Sequence, residues 1–319
     1  MKILIIHTFG LGDMVMLTPS LVKLKKIFPN VQLDFVALQK FALAPIVGSG
    51  YINNIYYFEG SIKDNLKLLI QLRKTKYDYI LHSSGTSVLK MSLLFLFLNG
   101  KNKIGEFAQV RIPWYTKQIK KNDDVHRVES NLHLITLINE CNADVSPFFY
   151  LKHENIAYAN NFIAPYQNKL LVGIHPGCNE KFANKRWELE KYLKLICLLQ
   201  KKFKNIIFFI FIGPDERDVG NEIKSKSPNV TIVDSKLDNT AAVISKMTLF
   251  LTNDSGLGHI ASCFDVNILT IFSKMSHAMP NKIYPYSKKS HIINFQKKSE
   301  DNEVNLVFNK MVNILNNNN

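Results

Sequence analysis

The sequence predicts an α/β protein of two domains, each built on a mostly parallel sheet with helices on both faces. Three observations lead to this prediction. Strand-like and helix-like segments alternate along most of the 319 residues, as they do in doubly wound domains. An apolar strand followed by histidine and a glycine turn opens the chain and recurs at residues 169–177. A chain of this length is also too long for one ordinary core.

In the first half, short apolar runs predict the strands, and apolar residues three or four positions apart predict the helices. The predicted strands are KILIIH (2–7), VQLDFVAL (31–38), NIYYF (54–58), YDYILHS (77–83) and NKIGEF (102–107). The predicted helices end at Phe28, cover 62–74, lie near 87–98 and run through 126–141. The segment MSLLFLFL (91–98) is too short to span a bilayer. We interpret it as a buried helix, with an exposed apolar patch that leans on a membrane as the alternative.

The alternation weakens between Asp144 and Asn168, where two prolines bracket a polar and aromatic stretch. The predicted division is therefore a domain over 1–150, a linker over 151–168, a second domain over 169–300 and a final segment over 301–319.

In the second half the same alternation resumes. The predicted strands are KLLVGIHPG (169–177), NIIFFIFIG (205–213), NVTIVD (229–234), LFLTNDSG (249–256) and NILTIF (267–272). The predicted helices cover 187–203, 215–226, 239–247, 258–265 and about 302–316. Since the carboxyl ends of parallel strands meet at one sheet edge, we expect the active site in a cleft where the strand ends of the two domains converge.

The formal charge of +14 suggests an anionic partner, either nucleic acid, anionic lipid or an acidic substrate. The lysines are scattered and no helix-turn-helix, zinc-finger or RNP pattern occurs, so we expect no nucleic-acid partner. A lysine-rich proteome would explain the charge equally well. The four cysteines are widely spaced without a C-x-x-C pair, which argues against a zinc site or disulfides and fits a reducing cytoplasm.

The first motif is HTFGLGD at residues 7–13. It is neither a Walker loop, because no G-K-[ST] follows, nor a dinucleotide fingerprint, because Val15 occupies the third glycine position. Asp13 has two interpretations. It is the N-cap of the following helix, or it is a general base at a strand's carboxyl edge that accepts a proton from a bound hydroxyl.

Three further motifs lie in the second half. HPGCNEKFANKRW (175–187) places Lys181, Lys185 and Arg186 before a helix, which is an anion site or, alternatively, a basic surface loop. NDSGLGH (253–259) is a turn that can bind phosphate and sugar hydroxyls or simply an Asp-Ser-Gly turn. In IGPDER (212–217), Glu216 can accept hydrogen bonds from a ribose. Phosphate-binding turns in the second half leave the first turn free to carry a base for an acceptor.

Taken together, GLGD, HPG followed by KRW, IGPDE and NDSGLGHIA resemble glycosyltransferase family 9, the lipopolysaccharide heptosyltransferases. Weaker matches at KIGEF and HRVESNLHLI extend the resemblance over most of the chain. The resemblance implies a GT-B fold of two Rossmann-like domains that face a central cleft. The first domain would bind the acceptor, the second the nucleotide sugar, and the final helix would pack back on the first domain.

The resemblance also implies an activity. It is an inverting, metal-independent transfer from an ADP-sugar, usually ADP-L-glycero-β-D-manno-heptose, to a lipopolysaccharide or lipooligosaccharide core acceptor of the lipid A–Kdo type. No cofactor is expected. The absence of D-x-D agrees with a leaving diphosphate that is neutralised by lysine and helix dipoles. The implied location is the cytoplasm, in peripheral contact with the inner membrane.

Carried onto matching positions, the resemblance implies Asp13 as the base and Lys185 as the lysine that stabilises the phosphate. The implied donor-binding residues are Gly12, Asn179, Lys181, Glu216, Leu237, Asp254, Ser255, Gly256 and His259. We predict acceptor-binding cations in one helical stretch, namely Lys63, Lys67, Arg73 and Lys74, although these can equally form a solvated face.

Three departures bear on the substrates. FSKMSHAMPN (272–281) stands where the family tends to have Phe-Gly and a shorter loop. NEKFA (179–183) lengthens the loop before Lys185, and LHSSG (81–85) replaces the Asp-Leu-Gln that usually follows the strand. The alternatives are a transferase that uses another sugar nucleotide, a nucleotide-sugar epimerase of the same architecture and, more remotely, a basic nucleic-acid-binding protein.

Overall fold

The structure of the protein is a computed structural model that describes residues 1–58, 61–140, 144–178, 183, 185–213, 216–227, 229–276, 279–296 and 302–317. The chain divides into two compact units, Met1–Tyr150 and Leu151–Asn319. Each unit is a parallel sheet covered by helices, which confirms the predicted α/β fold class.

In the described part of the first unit, six strands pair in parallel in the order β3-β2-β1-β4-β5-β6. The strands are β1 (Lys2–His7), β2 (Gln32–Ala37), β3 (Asn54–Tyr57), β4 (Tyr77–His82), β5 (Gly100–Phe107) and β6 (Lys117–Lys120). The helices are α1 (Leu11–Ile27), α2 (Ile62–Lys74), α3 (Val88–Phe97) and α4 (Arg127–Thr136).

The helices of the first unit cover both faces of the sheet because successive residues of a strand point to opposite sides. Ile3 and Ile5 of β1 join the apolar cluster that includes residues of α1 and α4. Leu4 and Ile6 join the cluster that includes residues of α2 and α3. Helices α2 and α3 therefore lie on the same face.

Helix α3 departs from its interpretation as a buried helix. Met91 and Phe95 are buried in the core, but Leu93 is 59% exposed and Leu96 is 56% exposed. The interpretation is wrong for the outer face of α3. An apolar sequence hides this difference because both faces of the helix carry apolar residues.

In the described part of the second unit, six strands pair in parallel in the order β12-β11-β10-β7-β8-β9. The strands are β7 (Leu170–His175), β8 (Ile206–Phe211), β9 (Val230–Val233), β10 (Leu249–Asn253), β11 (Asn267–Phe272) and β12 (Ser290–Asn294). The helices are α5 (His153–Ile163), α6 (Leu189–Lys202), α7 (Arg217–Lys226), α8 (Leu237–Ile244), α9 (Gly256–Ala261), α10 (Pro280–Ile283) and α11 (Glu303–Asn316).

The predicted linker and final segment differ from the structure. Residues 153–163 form α5, which packs against α8 in the second unit. Asn155 donates to the side-chain oxygen of Asn239 at 2.9 Å. The final helix α11 packs on α6, and Val307 and Met311 lie fully buried in the core of the second unit. The expectation that it packs on the first domain is wrong, because its apolar face completes this core instead.

Both sheets follow the doubly wound strand order, counted within each unit as 3-2-1-4-5-6. The order reverses between β1 and β4 in one unit and between β7 and β10 in the other. In such sheets ligands bind beyond the carboxyl ends of the strands at this reversal. In the part of the chain that the structure describes, no helix combines the length and apolar character needed to cross a bilayer.

Candidate functional site

In the first unit, the strand order reverses beside a buried histidine. His7 ends β1, and its Nδ1 lies 3.0 Å from the hydroxyl of Ser83, which follows β4. Burial, together with the positive charge of Arg127, lowers the pKa of His7 to about 4, although a hydrogen bond with Gly10 opposes this. His7 is therefore neutral near pH 7 and joins the ends of the two central strands.

Asp13 lies at this edge, three residues into α1. The N-cap of α1 is Gly10, so the interpretation of Asp13 as the cap is wrong. The carboxylate is 32% exposed, and its Oδ1 lies 3.6 Å from Nη1 of Arg127, the first residue of α4. It is thus a carboxylate that a cation holds in place while solvent still reaches it.

The sequence-based prediction missed Arg127, whose position depends on the loop after β4. Its Nη1 donates to the carbonyl of Ser84 at 2.8 Å, and its guanidinium lies 5.7 Å from the ring centroid of Phe9. Gly85 has φ +84, and a Cβ there would collide with the guanidinium. The glycine of LHSSG therefore makes room for Arg127.

A buried carboxylate, Glu106 of β5, fixes the same loop. It is 1% exposed and accepts from the hydroxyl of Ser84 at 2.6 Å and from the backbone N–H of Gly85 at 3.0 Å. Asn131 of α4 accepts from the backbone N–H of Ser84 at 2.7 Å. The departure LHSSG is thus a loop whose polar groups are bonded to β5 and α4. KIGEF and HRVESN supply those partners.

In the second unit, the device of a histidine and a serine recurs where the strand order reverses. His175 ends β7, and its Nδ1 lies 3.0 Å from the hydroxyl of Ser255, which follows β10. Ser255 is the N-cap of α9 and accepts from the backbone N–H of Gly258 at 3.5 Å. Burial, assisted by the charge of Arg186, lowers the pKa of His175 to about 3.

Lys185 and Asp254 meet at this edge. The ammonium of Lys185 donates to Oδ2 of Asp254 at 2.9 Å, and the two side chains are 19% and 10% exposed. Asp254 follows β10 directly. The structure therefore brings together the predicted phosphate-stabilising lysine and a predicted donor-binding carboxylate that lie 69 positions apart in the sequence.

Glu216 and Arg186 form a second ion pair. Arg186 Nη2 lies 3.1 Å from Oε1 of Glu216 and donates to the carbonyl of Cys178 at 2.9 Å. The other carboxylate oxygen accepts from the backbone N–H of Gly213 at 2.8 Å. A Cβ at Gly177 would overlap the carboxylate of Glu216. Glu216 is 6% exposed. Its bonds to Arg186 and Gly213 hold residues 185–187, which we call the basic segment, near the end of β8. Its contact with a ribose stays a prediction.

Asn253 joins the basic segment to the turn after β7. Its amide donates to the carbonyl of Pro176 at 2.8 Å and its oxygen accepts from the backbone N–H of Trp187 at 3.1 Å. Trp187 in turn donates its indole N–H to Glu303 of α11 at 2.9 Å. Residues 185–187 are therefore tied to β10 on one side and to the last helix on the other.

The remaining predicted residues separate into groups. Gly12 lies in the first turn of α1 beside Asp13, in the first unit. Leu237 is the half-buried first residue of α8, and Gly256 and His259 belong to α9. Asn179 and Lys181 lie outside the described residues. Within the described ranges, no group of three or more histidine, cysteine or acidic side chains could hold a metal ion.

The four cations predicted for the acceptor spread along α2 rather than converge. Its 13 residues span about 20 Å, and α2 runs from the carboxyl end of β3 back to the amino end of β4. Lys63 therefore lies at the carboxyl ends of the strands, as Asp13 does. Arg73 and Lys74 lie at the amino ends of the strands. The helix therefore separates its first two cations from its last two, and the contact of any of them with an acceptor stays a prediction.

The two units carry side chains of opposite charge at the carboxyl ends of their strands. One sheet edge carries a partly exposed carboxylate suited to accept a proton, and the other carries lysine and arginine suited to hold an anion.

The family model for glycosyltransferase family 9 (heptosyltransferase) matches residues 65–310 of the chain. The lipooligosaccharide heptosyltransferase 2 of Campylobacter jejuni is 26% identical over 282 residues, which cover 85% of this chain and 81% of that protein.

Two solved structures share the fold. A family 9 glycosyl transferase from Veillonella parvula superposes with a TM-score of 0.82 at 17% identity, covering 98% of this chain and 97% of the other. The Escherichia coli heptosyltransferase WaaC with ADP superposes with a TM-score of 0.77 at 19% identity. The match covers 98% of this chain and 100% of the other. This likeness of fold is to GT-B enzymes, as the resemblance implied.

Proposed function

The chain belongs to glycosyltransferase family 9, and from this we propose that it transfers a heptose, or a related sugar, from an ADP-sugar to a lipopolysaccharide or lipooligosaccharide core acceptor. The observation that carries the proposal is the division of charge between the two units. Asp13 lies at the carboxyl edge of one sheet, and Lys185 and Arg186 lie at that of the other.

In the proposed reaction, the carboxylate of Asp13 accepts the proton of an acceptor hydroxyl. The hydroxyl oxygen forms a bond to the anomeric carbon of the donor sugar, and the bond from that carbon to the diphosphate oxygen breaks. The configuration inverts because attack occurs opposite the leaving ADP. Arg127 holds the carboxylate in place, since its Nη1 lies 3.6 Å from Oδ1 of Asp13.

The proposed role of Lys185 is to neutralise the leaving diphosphate. Its ammonium has three N–H donors and can bind a phosphate oxygen while Asp254 holds it in place. This arrangement needs no divalent ion, because fixed positive charge stabilises the developing negative charge. Transfer should therefore persist in excess EDTA. Complete loss that magnesium restores would contradict the metal-independent mechanism.

We further propose that Lys63 lies on the acceptor side and that the protein works in the cytoplasm in peripheral contact with the inner membrane. An acceptor of the lipid A–Kdo type is amphiphilic and anionic, which suits a strongly basic protein.

A transfer assay with a panel of nucleotide sugars tests the proposed function. ADP-heptose with a heptose-deficient core acceptor should give a product that is heavier by one heptosyl residue, and one equivalent of ADP should be released. A thermal-shift screen should show larger stabilisation by ADP than by UDP or GDP, because a ligand that binds only the folded state raises its stability. Transfer from a UDP-sugar or a GDP-sugar, with none from an ADP-sugar, would show that the proposed donor is wrong. Interconversion of a free nucleotide sugar without any acceptor would favour an epimerase.

A further inference from the structure

The exposed surfaces of α2 and α3 include rows of aliphatic side chains, whereas water-facing helix surfaces normally carry polar residues. Each helix exposes three large aliphatic side chains. The exposed fractions are 89% for Ile62, 54% for Leu66 and 43% for Ile70 on α2, and 71% for Leu89, 59% for Leu93 and 56% for Leu96 on α3. We call these six residues the α2–α3 face.

The spacing places each set of three on one side of its helix, because residues three or four positions apart are neighbours on a helix surface. The opposite sides are buried, with Leu72 of α2 and Phe95 of α3 in the core of the first unit. Single exposed apolar residues are common, but aligned rows indicate a binding surface.

The two rows lie on neighbouring helices. Arg73 of α2 donates from Nη1 to the carbonyl of Phe97 in α3 at 3.2 Å, and its guanidinium lies 4.6 Å from the ring centroid of Phe97. Both helices pack on the same side of the sheet. The α2–α3 face is therefore one surface built by two helices side by side.

The charge around this face selects its partner. From residue 61 to residue 103 the sequence has eight lysines and arginines and two aspartates. Lys63, Lys67 and Lys90 are exposed beside the aliphatic rows. Apolar side chains flanked by lysines match an anionic bilayer, where the aliphatic groups enter the interface and the ammonium groups meet the head groups. A second copy would bring the same positive charges together. We infer that the α2–α3 face is the membrane-docking surface of this protein.

The position of the face agrees with the proposed acceptor, and to that extent the inference rests on the proposed function. Helix α3 begins three residues after Gly85, which lies against the guanidinium that pairs with Asp13. A glycolipid anchored beside Leu89 would hold its sugars near the carboxylate that is proposed to deprotonate them.

Flotation of the full-length protein with lipid vesicles tests the inference without any sugar substrate. Vesicles of equal parts phosphatidylcholine and phosphatidylglycerol should bind the protein, and binding should weaken as salt screens the lysines. Leu93→Gln/Leu96→Gln should lower the partition coefficient about tenfold, because binding scales with buried apolar area. The matched control is Ile156→Gln/Leu306→Gln, which changes two exposed aliphatic residues of the second unit and should leave binding unchanged.

Equal loss in both double variants, or binding that survives the change at Leu93 and Leu96, would overturn the inference. A stable dimer in solution that the change at Leu93 and Leu96 dissolves would do the same and assign the face to a second copy. Transfer to a deacylated, water-soluble core acceptor separates docking from chemistry. The Leu93/Leu96 variant should retain kcat/KM on that acceptor. If neither double variant transfers a sugar, the proposed function is contradicted, but the result of the vesicle experiment still stands.

Discussion

Among individual residues, Asp13 has the geometry expected of a general base. Its Oδ1 lies 3.6 Å from Nη1 of Arg127, and its side chain is 32% exposed to solvent. Asp13→Asn removes the proton acceptor and keeps the size of the side chain. Because Gly10 rather than Asp13 caps α1, the variant should fold normally. We expect the transfer rate to fall about 10²–10⁴-fold, as for loss of a general base, with donor affinity unchanged.

Single-turnover transfer and nucleotide binding measured on the same sample check this expectation. Asp265→Asn is the control, since it alters a carboxylate that is 88% exposed in the second unit. Full activity of Asp13→Asn would remove Asp13 from the mechanism.

Gly85 is predicted to matter through Arg127. Gly85→Ala places a Cβ against the guanidinium and forces a side chain into φ +84. The backbone strain should cost about 1–3 kcal/mol of the free energy of unfolding, and the displaced guanidinium should lower kcat/KM for transfer as well.

Gly50→Ala separates these two effects. Gly50 has φ +76, and an added Cβ would meet nothing within 4 Å, so it introduces similar strain without a collision. If both variants lose stability but only Gly85→Ala loses transfer activity, Arg127 orients the site. Equal activity in the two variants would leave Arg127 with a structural role alone.

Lys185 is predicted to act when the diphosphate leaves. Lys185→Ala should lower kcat more than it weakens donor binding, because charge that develops in the transition state is what the ammonium stabilises. Steady-state kinetics with ADP-sugar, compared with equilibrium ADP binding, measure the two quantities. The surface variant Lys201→Ala is the control. A rise in donor KM with unchanged kcat would make Lys185 a simple binding residue.

The site residues differ in how visible they are in the sequence. Asp13 and Asp254 come soon after apolar strands, so parallel-sheet topology predicts that they lie at the carboxyl ends of those strands. Arg127 and Glu106 belong to a helix and a strand whose ends meet the loop after β4 only once the sheet has formed. No local pattern predicts those contacts. Gly85 in LHSSG is the one local sign of them, because only a residue without a Cβ leaves room for Arg127.

Among the elements, those that the sequence did not predict are polar or at a sheet edge. Strands β6 and β12 are the outermost strands at one edge of their sheets. Edge strands are short and polar in natural proteins, which removes the apolar run that reveals a central strand. Residues 153–163 lie in the predicted linker because asparagines interrupt the apolar pattern of α5, although the helix packs on α8.

Helix α11 is predicted to be part of the second unit's stability. Met311→Ala should lower the free energy of unfolding by about 2–5 kcal/mol, the usual cost of truncating a fully buried side chain. Denaturant unfolding followed by circular dichroism measures this loss. Leu306→Ala, on the exposed side of the same helix, should cost far less. Similar small losses in both variants would mean that α11 is not required to complete the core.

In the whole molecule, each unit buries a histidine at the end of its first strand, His7 in one and His175 in the other, and both units should therefore lose stability in acid. The pKa of His7 is lowered from 6.5 to about 4 and that of His175 from 6.5 to about 3. Between these values and 6.5 the unfolded chain binds protons that the folded chain does not. Stability should thus fall as pH decreases from about 6.5, by about 1.4 kcal/mol per pH unit for each histidine.

Denaturant unfolding between pH 7 and pH 5 tests this dependence. His175→Gln cannot take up a proton, so the slope for its unit should flatten. His153→Gln, at an exposed position, should leave the slope unchanged. An unaltered slope in His175→Gln would show that other groups dominate the acid sensitivity.

The pair of tryptophans has a practical consequence. The chain contains two, Trp114 in the first unit and Trp187 in the second. Trp187 follows Lys185 and Arg186 directly and is bonded to both Asn253 and Glu303. Each unit thus carries its own tryptophan, and the tryptophan emission of a Trp114→Phe protein would come from the second unit alone. Its emission would follow nucleotide titration in real time, and the reciprocal Trp187→Phe protein would follow the first unit without any attached dye.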